Sequence, residues 1–224
     1  MDIKLNKLHF SIDDIGLSLR YLAREKPQSM FDMRLFGKLR QWNMQYGLKT
    51  TLYCFAVTED FLISEIPEFY KHEFEKAKDW LRFGYHSKFN TPFADEYGTE
   101  AGFELCQKTF KKLNCGKSDI LRLHYWCGCN EQKRFLKNSG INTLLYPDDD
   151  CFKYNDNDEF EHCGLNHWRT RILFENLKEV NDANLFAGIK ERICAFTHEQ
   201  VFDIQAEKIE KAVKIYLNDG YEFI

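Results

Sequence analysis

The chain lacks three features that would each assign it to a broad class of proteins. It has no apolar run near the ~20 residues that cross a bilayer, no excess of basic side chains, and no CxxC pair among its eight cysteines. Lys and Arg total 31 against 35 Asp and Glu, for a net charge of -4. Because binding to nucleic acid requires a basic face, this balance disfavours a nucleic-acid partner. The cysteine spacing disfavours a cysteine-rich zinc site.

The beginning of the sequence also lacks the pattern of a secretory signal. Residues 1–7 contain no long apolar segment, and no small-residue cleavage site follows them. Several cysteines lie inside apolar runs, where a free thiol behaves as a small hydrophobic side chain. These observations predict free thiols in a reducing cytoplasm and no membrane span.

Short apolar runs alternate with longer amphipathic segments along the 224 residues. The predicted strands are 7–13, 49–55, 80–86, 119–125, 141–146, 192–197 and, less regularly, 221–224. The predicted helices lie near 30–45, 65–79, 98–113, 130–138, 176–189 and 200–218. Such alternation favours a parallel sheet with right-handed crossovers. One domain over 1–224 is expected, either a small barrel of seven units or an open doubly wound sheet; the oligomeric state is not predicted.

Residues 147–170 interrupt this rhythm with many polar residues. Asp148, Asp149 and Asp150 follow a proline, and a second polar cluster covers 155–158. We predict a polar hairpin insertion here. The alternative, a calcium-binding loop, is disfavoured because the glycine and the terminal glutamate of the EF-hand spacing are missing.

Four of the predicted strands end in residues suited to metal-assisted hydrolysis. In a β/α barrel the loops after the carboxyl ends of the strands share one face. Side chains that are far apart in sequence would therefore meet there. The residues concerned are Asp13, Asp14, His86, Asn90, Arg122, His124 and His198.

Each of these motifs also has a plain structural interpretation. One aspartate of the Asp13-Asp14 pair is explained as a helix cap, but two adjacent like charges repel unless a cation or a proton lies between them. His86 and Asn90 are spaced i, i+4 and would reach one ion from one helical face, or each would cap a neighbouring element. His198, taken alone, would be a structural histidine.

The ordered set resembles the polysaccharide deacetylase family, also called the NodB-homology domain or carbohydrate esterase family 4. Ser11-Ile12-Asp13-Asp14 is similar to the first family motif, and His86-Ser87-Lys88-Phe89-Asn90 to the second. Arg122-Leu123-His124-Tyr125 is similar to the third motif, and the apolar run that ends at His198 to the last. The agreement extends from residue 7 to the end of the chain. Each motif is short, so only the ordered combination is specific.

The resemblance implies a distorted (β/α)7 barrel and a divalent metal, usually zinc. It implies that Asp14, His86 and Asn90 hold the metal, and that Asp13 is the general base, oriented by Arg122. It further implies that His198 protonates the leaving amine. For Tyr125 it implies a backbone N–H that binds the oxyanion.

Three departures from the family pattern qualify these expectations. Asn90 stands where a second histidine ligand is usual, which should weaken metal binding or change the preferred metal. His124 stands where proline is common, at the substrate-binding motif, and it is a further candidate to face the ion. The fourth family motif, an Asp-Trp signature that supports the acid, is not evident. Residues 148–150 are candidates for its aspartate, and Trp168-Arg169 is a candidate for a wall of the cleft.

The sequence therefore predicts a metal-dependent hydrolase that removes an N-acetyl group from an amino sugar or glycan precursor. A C–N hydrolase acting on a non-sugar amide or imide is one alternative. A degenerate member that binds carbohydrate without turnover is the other.

Overall fold

The computed structural model describes residues 6–90, 99–126, 129–149, 151–186 and 191–224. Within these ranges there are thirteen strands and seven α-helices. The strands are β1 (Lys7–Ile15), β2 (Thr50–Phe55), β3 (Val57–Thr58), β4 (Phe61–Leu62), β5 (Leu81–Ser87), β6 (Gly116–Lys117), β7 (Ile120–Leu121), β8 (Thr143–Pro147), β9 (Glu159–His162), β10 (Leu165–Thr170), β11 (Ile172–Leu173), β12 (Arg192–His198) and β13 (Glu222–Phe223). The helices are α1 (Leu17–Glu25), α2 (Arg34–Tyr46), α3 (Lys71–Ala77), α4 (Thr99–Lys112), α5 (Asn130–Asn138), α6 (Asp182–Leu185) and α7 (Phe202–Asn218).

The parallel strands form a barrel with seven strand positions around its ring. We call each of these positions a stave. One sheet has the order β11-β12-β1-β2-β5-β6, and a second has the order β7-β8-β10-β9. The two sheets join where a stave is broken into two pieces, β6 with β7 at one junction and β10 with β11 at the other. Every pairing around the ring is parallel. The predicted (β/α)7 barrel is thus confirmed, and the open-sheet alternative is wrong.

Two predicted elements differ from the structure, one at the sixth stave and one at residues 221–224. The sixth stave is β10 with β11; β10 lies inside the segment predicted as a polar hairpin insertion, and β11 lies just after that segment. A hairpin does exist, because β9 pairs with β10 in antiparallel fashion, but its second arm belongs to the barrel. The predicted strand at 221–224 is β13, which pairs only with Lys7 and Leu8 at the start of β1.

The polar cluster at 155–158 forms a turn stabilised by its own side chains. Asn155 Oδ1 accepts hydrogen bonds from the backbone N–H groups of Asn157 and Glu159, at 2.8 and 3.2 Å. Asp158 binds Arg171 through two hydrogen bonds of 2.7 and 2.9 Å. The turn interpretation of this cluster is therefore confirmed.

Both faces of β1 are buried, as expected of a parallel strand covered by helices. Leu8, Phe10 and Ile12 alternate along it with the polar residues His9, Ser11 and Asp13, and all six are at most 2% exposed. Since side chains alternate in direction along a strand, the polar set shares one face. This row of polar side chains extends to the carboxyl end of β1, where the candidate site lies.

The described part of the chain holds no helix that is both long and apolar enough to cross a bilayer. The seven cysteines among the described residues are all free thiols.

Candidate metal centre and active site

The two adjacent aspartates at the end of β1 reach one cleft because the strand is irregular there. In a regular strand, neighbouring side chains point to opposite faces. The pairing of β1 with β2 shifts register between Ile12 and Ile15, and Asp14 has a φ of 61°. Aspartate tolerates this left-handed conformation better than most residues, and such an irregularity re-aims a side chain. Asp13 and Asp14 therefore both line a cleft of about 300 Å³.

Asp14, His86 and His124 form a compact group of potential metal ligands, with one ligand atom from each lying within 4.8 Å of the others. Asp14 Oδ1 is 3.1 Å from His86 Nε2 and 3.6 Å from His124 Nε2. The side chains are 14%, 3% and 11% exposed, respectively. The Phe55 ring packs against both histidines, at centroid distances of 5.4 and 5.1 Å. One carboxylate and two imidazoles are a donor set that suits zinc.

The hydrogen bonding of His86 fits a cation between these groups. Because a carbonyl can only accept, His86 Nδ1 must donate to the Arg122 carbonyl oxygen, 2.6 Å away. In a neutral imidazole the other nitrogen then carries a lone pair, which faces the Asp14 carboxylate at 3.1 Å. Two acceptors at this distance repel unless a proton or a metal ion lies between them. A carbonyl that accepts from the other ring nitrogen of a ligating histidine, and so fixes its tautomer, is also a common feature of metal sites.

The electrostatics of Asp14 favour its ionised form. Burial alone would raise the pKa of Asp14, but the hydrogen bond with His86 and the charges of the neighbouring histidines outweigh it. Together they lower the pKa of Asp14 to about 2. The carboxylate is therefore charged at neutral pH and available as a ligand.

Asp13 is held by Arg122 on the barrel interior. Arg122 Nη1 donates to Asp13 Oδ2 at 3.0 Å, and both side chains are almost fully buried. Arg122 Nη2 donates to the Thr170 hydroxyl at 3.3 Å, and the guanidinium lies 3.6 Å from the centre of the Phe196 ring. Asp13 Oδ1 has no hydrogen-bond partner among the described residues. This buried oxygen is therefore left unpaired in a residue that lines the cleft.

His198 is paired with a carboxylate that the sequence did not single out. His198 Nδ1 lies 3.2 Å from Glu175 Oε1, which also accepts from the His198 backbone N–H and the Thr197 hydroxyl. The hydrogen bond with Glu175 raises the pKa of His198; burial opposes this rise, and the charges of Asp13 and Asp14 add to it. Burial pulls the pKa of Glu175 upward, but its hydrogen bonds with His198 and Thr197 lower it below its ordinary value. The pair thus favours a protonated His198. Because Nδ1 contacts Glu175, Nε2 is the ring nitrogen that can interact with a molecule in the cleft.

Asp13 and His198 are register partners on adjacent parallel strands, β1 and β12. Neighbouring strands lie about 4.8 Å apart, so the two side chains stand next to each other at the mouth of the barrel. One is a carboxylate beside an arginine, and the other is an imidazole beside a carboxylate. Environments that push two titratable groups toward opposite protonation states are typical of an acid–base pair.

Comparison with solved structures gives extensive but distant matches. A peptidoglycan N-acetylglucosamine deacetylase shares 11% identity over 97% of this chain and 85% of its own, with a TM-score of 0.56. A carbohydrate esterase family 4 pseudoenzyme from Bacillus anthracis shares 11% identity over 98% of this chain and 63% of its own, with a TM-score of 0.54. The chain has the carbohydrate esterase family 4 fold.

A protein whose name describes a different activity on sugars is also similar in fold to this chain. A 4-alpha-glucanotransferase from Thermococcus litoralis has a TM-score of 0.67 at 10% identity, over 99% of this chain and 39% of its own. No family model and no curated protein matches the sequence. Since one fold carries several chemistries, the function must be argued from the site.

Within the family 4 fold, the structure brings most of the predicted site residues together. The described residues that line the cleft include Asp13, Asp14, His86, Arg122, His124, Tyr125 and His198. Asn90 is not among the described lining residues; it lies three residues beyond the end of β5 and is exposed. His124, predicted at the substrate-binding motif, stands instead in the group with Asp14 and His86.

Tyr125 lies at the mouth of the cleft with a left-handed backbone, at φ 51° and ψ 22°. Its side chain is 60% exposed, and its ring packs against His124 at a centroid distance of 4.4 Å. Trp126 follows in the same backbone region, at φ 58°. Non-glycine residues in this region cluster at functional sites. The proposed oxyanion role of the Tyr125 N–H stays a prediction.

The candidates for the missing fourth motif lie elsewhere in the fold. Asp148 pairs with Arg169 and Arg171, Asp149 accepts from the Cys151 N–H at 2.8 Å, and residue 150 lies outside the described residues. Glu175 supplies the carboxylate instead. The sequence signal for it was its position two residues after a barrel strand, but that strand, β11, has only two residues and was not predicted.

The apolar wall of the cleft also differs from the expectation. Trp168 was a candidate for this wall, but it lies in β10 with the Arg192 guanidinium 3.9 Å from its ring centre. The wall is formed by Trp126, Leu173 and Phe196. These apolar side chains line the same cleft as Asp13 and His198.

Proposed function

We propose that this protein is a metal-dependent hydrolase that removes an N-acetyl group from an amino sugar or a glycan precursor. The observation that carries the proposal is the pairing of Asp13 with Arg122 and of His198 with Glu175 in one cleft. The fold comparisons support it, because a deacetylase shares the barrel over most of its length. A carbohydrate partner and a cytoplasmic setting are kept as predictions from the sequence.

The metal ligands in this proposal are Asp14, His86 and His124, with Asn90 as the sequence-based alternative to His124. A bound divalent ion, zinc in this proposal, would polarise the acetyl carbonyl and help water to ionise near neutral pH. The donor set and the tautomer of His86 support such an ion.

The acid–base roles follow from the partners of each group. Asp13 Oδ1 takes a proton from the attacking water, while Arg122 keeps the carboxylate in place. His198, protonated through its pairing with Glu175, gives a proton to the nitrogen as the C–N bond breaks. The products are acetate and a free amine, which accounts for every atom of the amide and of one water molecule.

A leaving amine explains why a protonated His198 is needed. An amide nitrogen departs as a neutral amine only when it gains a proton, and general acid catalysis supplies roughly 10²–10⁴-fold in such steps. The small apolar wall of Trp126, Leu173 and Phe196 suits the methyl group of an acetyl. A non-sugar amide or imide would use the same groups, and it remains the alternative substrate class.

Binding without turnover is the second candidate function, since the barrel also occurs in a family 4 pseudoenzyme. The substitution of Asn90 for the usual histidine favours it, and the intact pairs of Asp13 and His198 disfavour it. Turnover separates the two candidates.

The test is acetate release from N-acetylated amino sugars and short glycans by the zinc-loaded protein. The Asp13→Asn variant keeps the shape of the side chain and removes the base, so its rate should fall by roughly 10²–10⁴. His198→Ala should fall similarly, while the zinc content of both variants stays near that of the wild type. A wild type that binds these sugars but releases no acetate would refute the hydrolase proposal in favour of the binding function.

A further inference from the structure

The turn that carries the two aspartates is held by a carboxylate from the far end of the chain. Glu199 Oε2 accepts hydrogen bonds from the backbone N–H groups of Gly16 and Leu17, each at 2.9 Å. Glu199 Oε1 accepts from the Ser18 N–H at 2.7 Å. Helix α1 begins at Leu17, and its own N-cap residue, Gly16, has no side chain that could accept these bonds. Glu199 thus caps the free N–H groups at the positive end of this helix.

The next residue, Gln200, contacts the proposed metal ligand itself. Gln200 Nε2 donates to Asp14 Oδ2 at 3.2 Å. The other carboxylate oxygen, Asp14 Oδ1, faces His86 and His124. Because one oxygen accepts the amide N–H, the carboxylate is turned so that the second oxygen points to the two histidines.

We propose that Glu199 and Gln200 are a positioning pair that holds Asp14 in the geometry of a metal ligand. This inference rests on the proposed function. Asp14 occupies a left-handed conformation in an irregular strand end, which persists only where the surroundings over-determine it. Glu199 fixes the backbone that follows Asp14 in the sequence, and Gln200 fixes the carboxylate of Asp14.

The positioning pair also couples the ligand to the acid. Glu199 and Gln200 directly follow His198, at the end of the strand that pairs with β1. One short segment therefore carries the proposed acid and holds the turn that bears the proposed base and ligand. A displacement of this segment would change all three groups together.

The competing interpretation is a structural one, in which Glu199 only stabilises α1 and Gln200 contacts Asp14 without consequence. The two interpretations differ in metal affinity. A supporting residue that orients a metal ligand typically contributes 10–100-fold to metal affinity, whereas a cap contributes to stability alone.

The chain offers a matched control for each variant. Glu73 also caps a remote turn: it accepts from the Ser29 hydroxyl at 2.6 Å and from the Met30 N–H at 2.7 Å. Gln41 is an exposed glutamine on α2. Glu199→Gln and Gln200→Ala are therefore compared with Glu73→Gln and Gln41→Ala.

The experiment measures zinc affinity by calorimetric titration, the visible absorption of the cobalt-loaded protein, and the melting temperature of the metal-free protein. Gln200→Ala should weaken zinc binding about 10-fold and alter the cobalt spectrum, with a melting temperature near that of the wild type. Glu199→Gln replaces one acceptor oxygen by a donor amide, so it should lower both zinc affinity and melting temperature. Glu73→Gln should lower only the melting temperature, and Gln41→Ala should change neither.

Wild-type zinc affinity in both Gln200→Ala and Glu199→Gln would overturn the positioning pair and leave the proposed function standing. A wild type that binds neither zinc nor cobalt would overturn the metal centre of the proposed function, and the positioning pair with it. The two failures are therefore distinguishable in one series of titrations.

Discussion

At the scale of single residues, the choice between His124 and Asn90 decides how this chain binds a metal. The proposed centre takes its third ligand from the segment after β7, whereas the sequence pattern places it after β5. The imidazole of His124 lies 3.6 Å from Asp14 Oδ1, and Asn90 is exposed. The site would then have one aspartate and two histidines as ligands, although the second histidine does not lie where the family pattern has it.

A metal titration tests this choice. We expect His124→Ala to weaken zinc binding by more than the roughly 10-fold effect of a supporting residue, because it removes a donor atom. Asn90→Ala should leave the affinity unchanged and serves as the control. A larger loss in Asn90→Ala than in His124→Ala would restore Asp14, His86 and Asn90 as the ligand set.

The pairing of His198 with Glu175 predicts the pH dependence of the reaction. His198 acts as an acid only while protonated, so the rate falls as pH rises through its pKa, which Glu175 raises. Glu175→Gln removes the charge, and the alkaline limb of the pH–rate profile should move to lower pH. Rates measured across pH 5–10 for both proteins test this expectation, and an unmoved alkaline limb would remove Glu175 from this role.

The same pair contributes to stability within a defined range of pH. The folded-state pKa of His198 is raised, so its contribution is present below the ordinary histidine pKa and is lost as pH rises through the folded value. The folded-state pKa of Glu175 is lowered, so its contribution is present above its ordinary pKa and is lost as pH falls through the folded value. Both contributions are therefore fully present between the ordinary pKa of glutamate and the ordinary pKa of histidine.

Sequence reasoning named the residues proposed to carry the chemistry, and Arg122 beside Asp13, but it did not name Glu175 or Gln200. Asp13, His86 and His198 end apolar runs, which is a local signal. Glu175 follows a strand of two residues, and Gln200 is an exposed side chain on a turn. Their contacts depend on the closure of the barrel, which no local pattern reports.

At the scale of elements, helices were easier to predict than the sixth stave. The helix predicted at 130–138 matches α5, and the one predicted at 200–218 contains α7. The stave β10 reads Leu165-Asn166-His167-Trp168-Arg169-Thr170, with one aliphatic residue. His167 is fully buried in it, with its ring stacked on Phe160 at a centroid distance of 4.5 Å. A buried strand whose interior face is polar and aromatic gives neither an apolar run nor a clear alternation.

Close packing inside the barrel makes β5 sensitive to added volume. A methyl group on Gly84 would lie 2.8 Å from the Tyr53 ring and 2.9 Å from Leu121 Cδ2. The Tyr53 hydroxyl donates to the Ile120 carbonyl oxygen at 3.0 Å, so the ring has little freedom to move. We expect Gly84→Ala to lower the free energy of unfolding by about 1–3 kcal/mol, as overpacked cores do.

Urea denaturation measures this cost. Met44→Ala is the control, since its side chain is 75% exposed and surface substitutions usually stay within about 0.5 kcal/mol. Equal stabilities of Gly84→Ala and Met44→Ala would mean that the interior near Tyr53 is not tightly packed.

At the scale of the whole molecule, the ring of parallel strands explains why the site is assembled from distant parts of the sequence. Asp13, His86 and His198 lie near the carboxyl ends of β1, β5 and β12, and Arg122 follows β7. The carboxyl ends of these strands share one face of the barrel. The parallel arrangement of the strands was predictable from their alternation with helices, and the barrel from the resemblance to the family. The break of two staves into β6 with β7 and β10 with β11 was not, because it reflects the way in which the ring closes.

The most direct test of the proposed function is acetate release from an N-acetylated amino sugar by one sample of protein in three states. The sample is measured as purified, after removal of metal by a chelator, and after zinc is returned. Turnover should be lost on chelation and restored by zinc, and the Asp13→Asn variant should stay inactive in all three states. Acetate release that is unaffected by chelation, or absent after zinc is returned to a protein that binds it, would contradict a metal-dependent deacetylase.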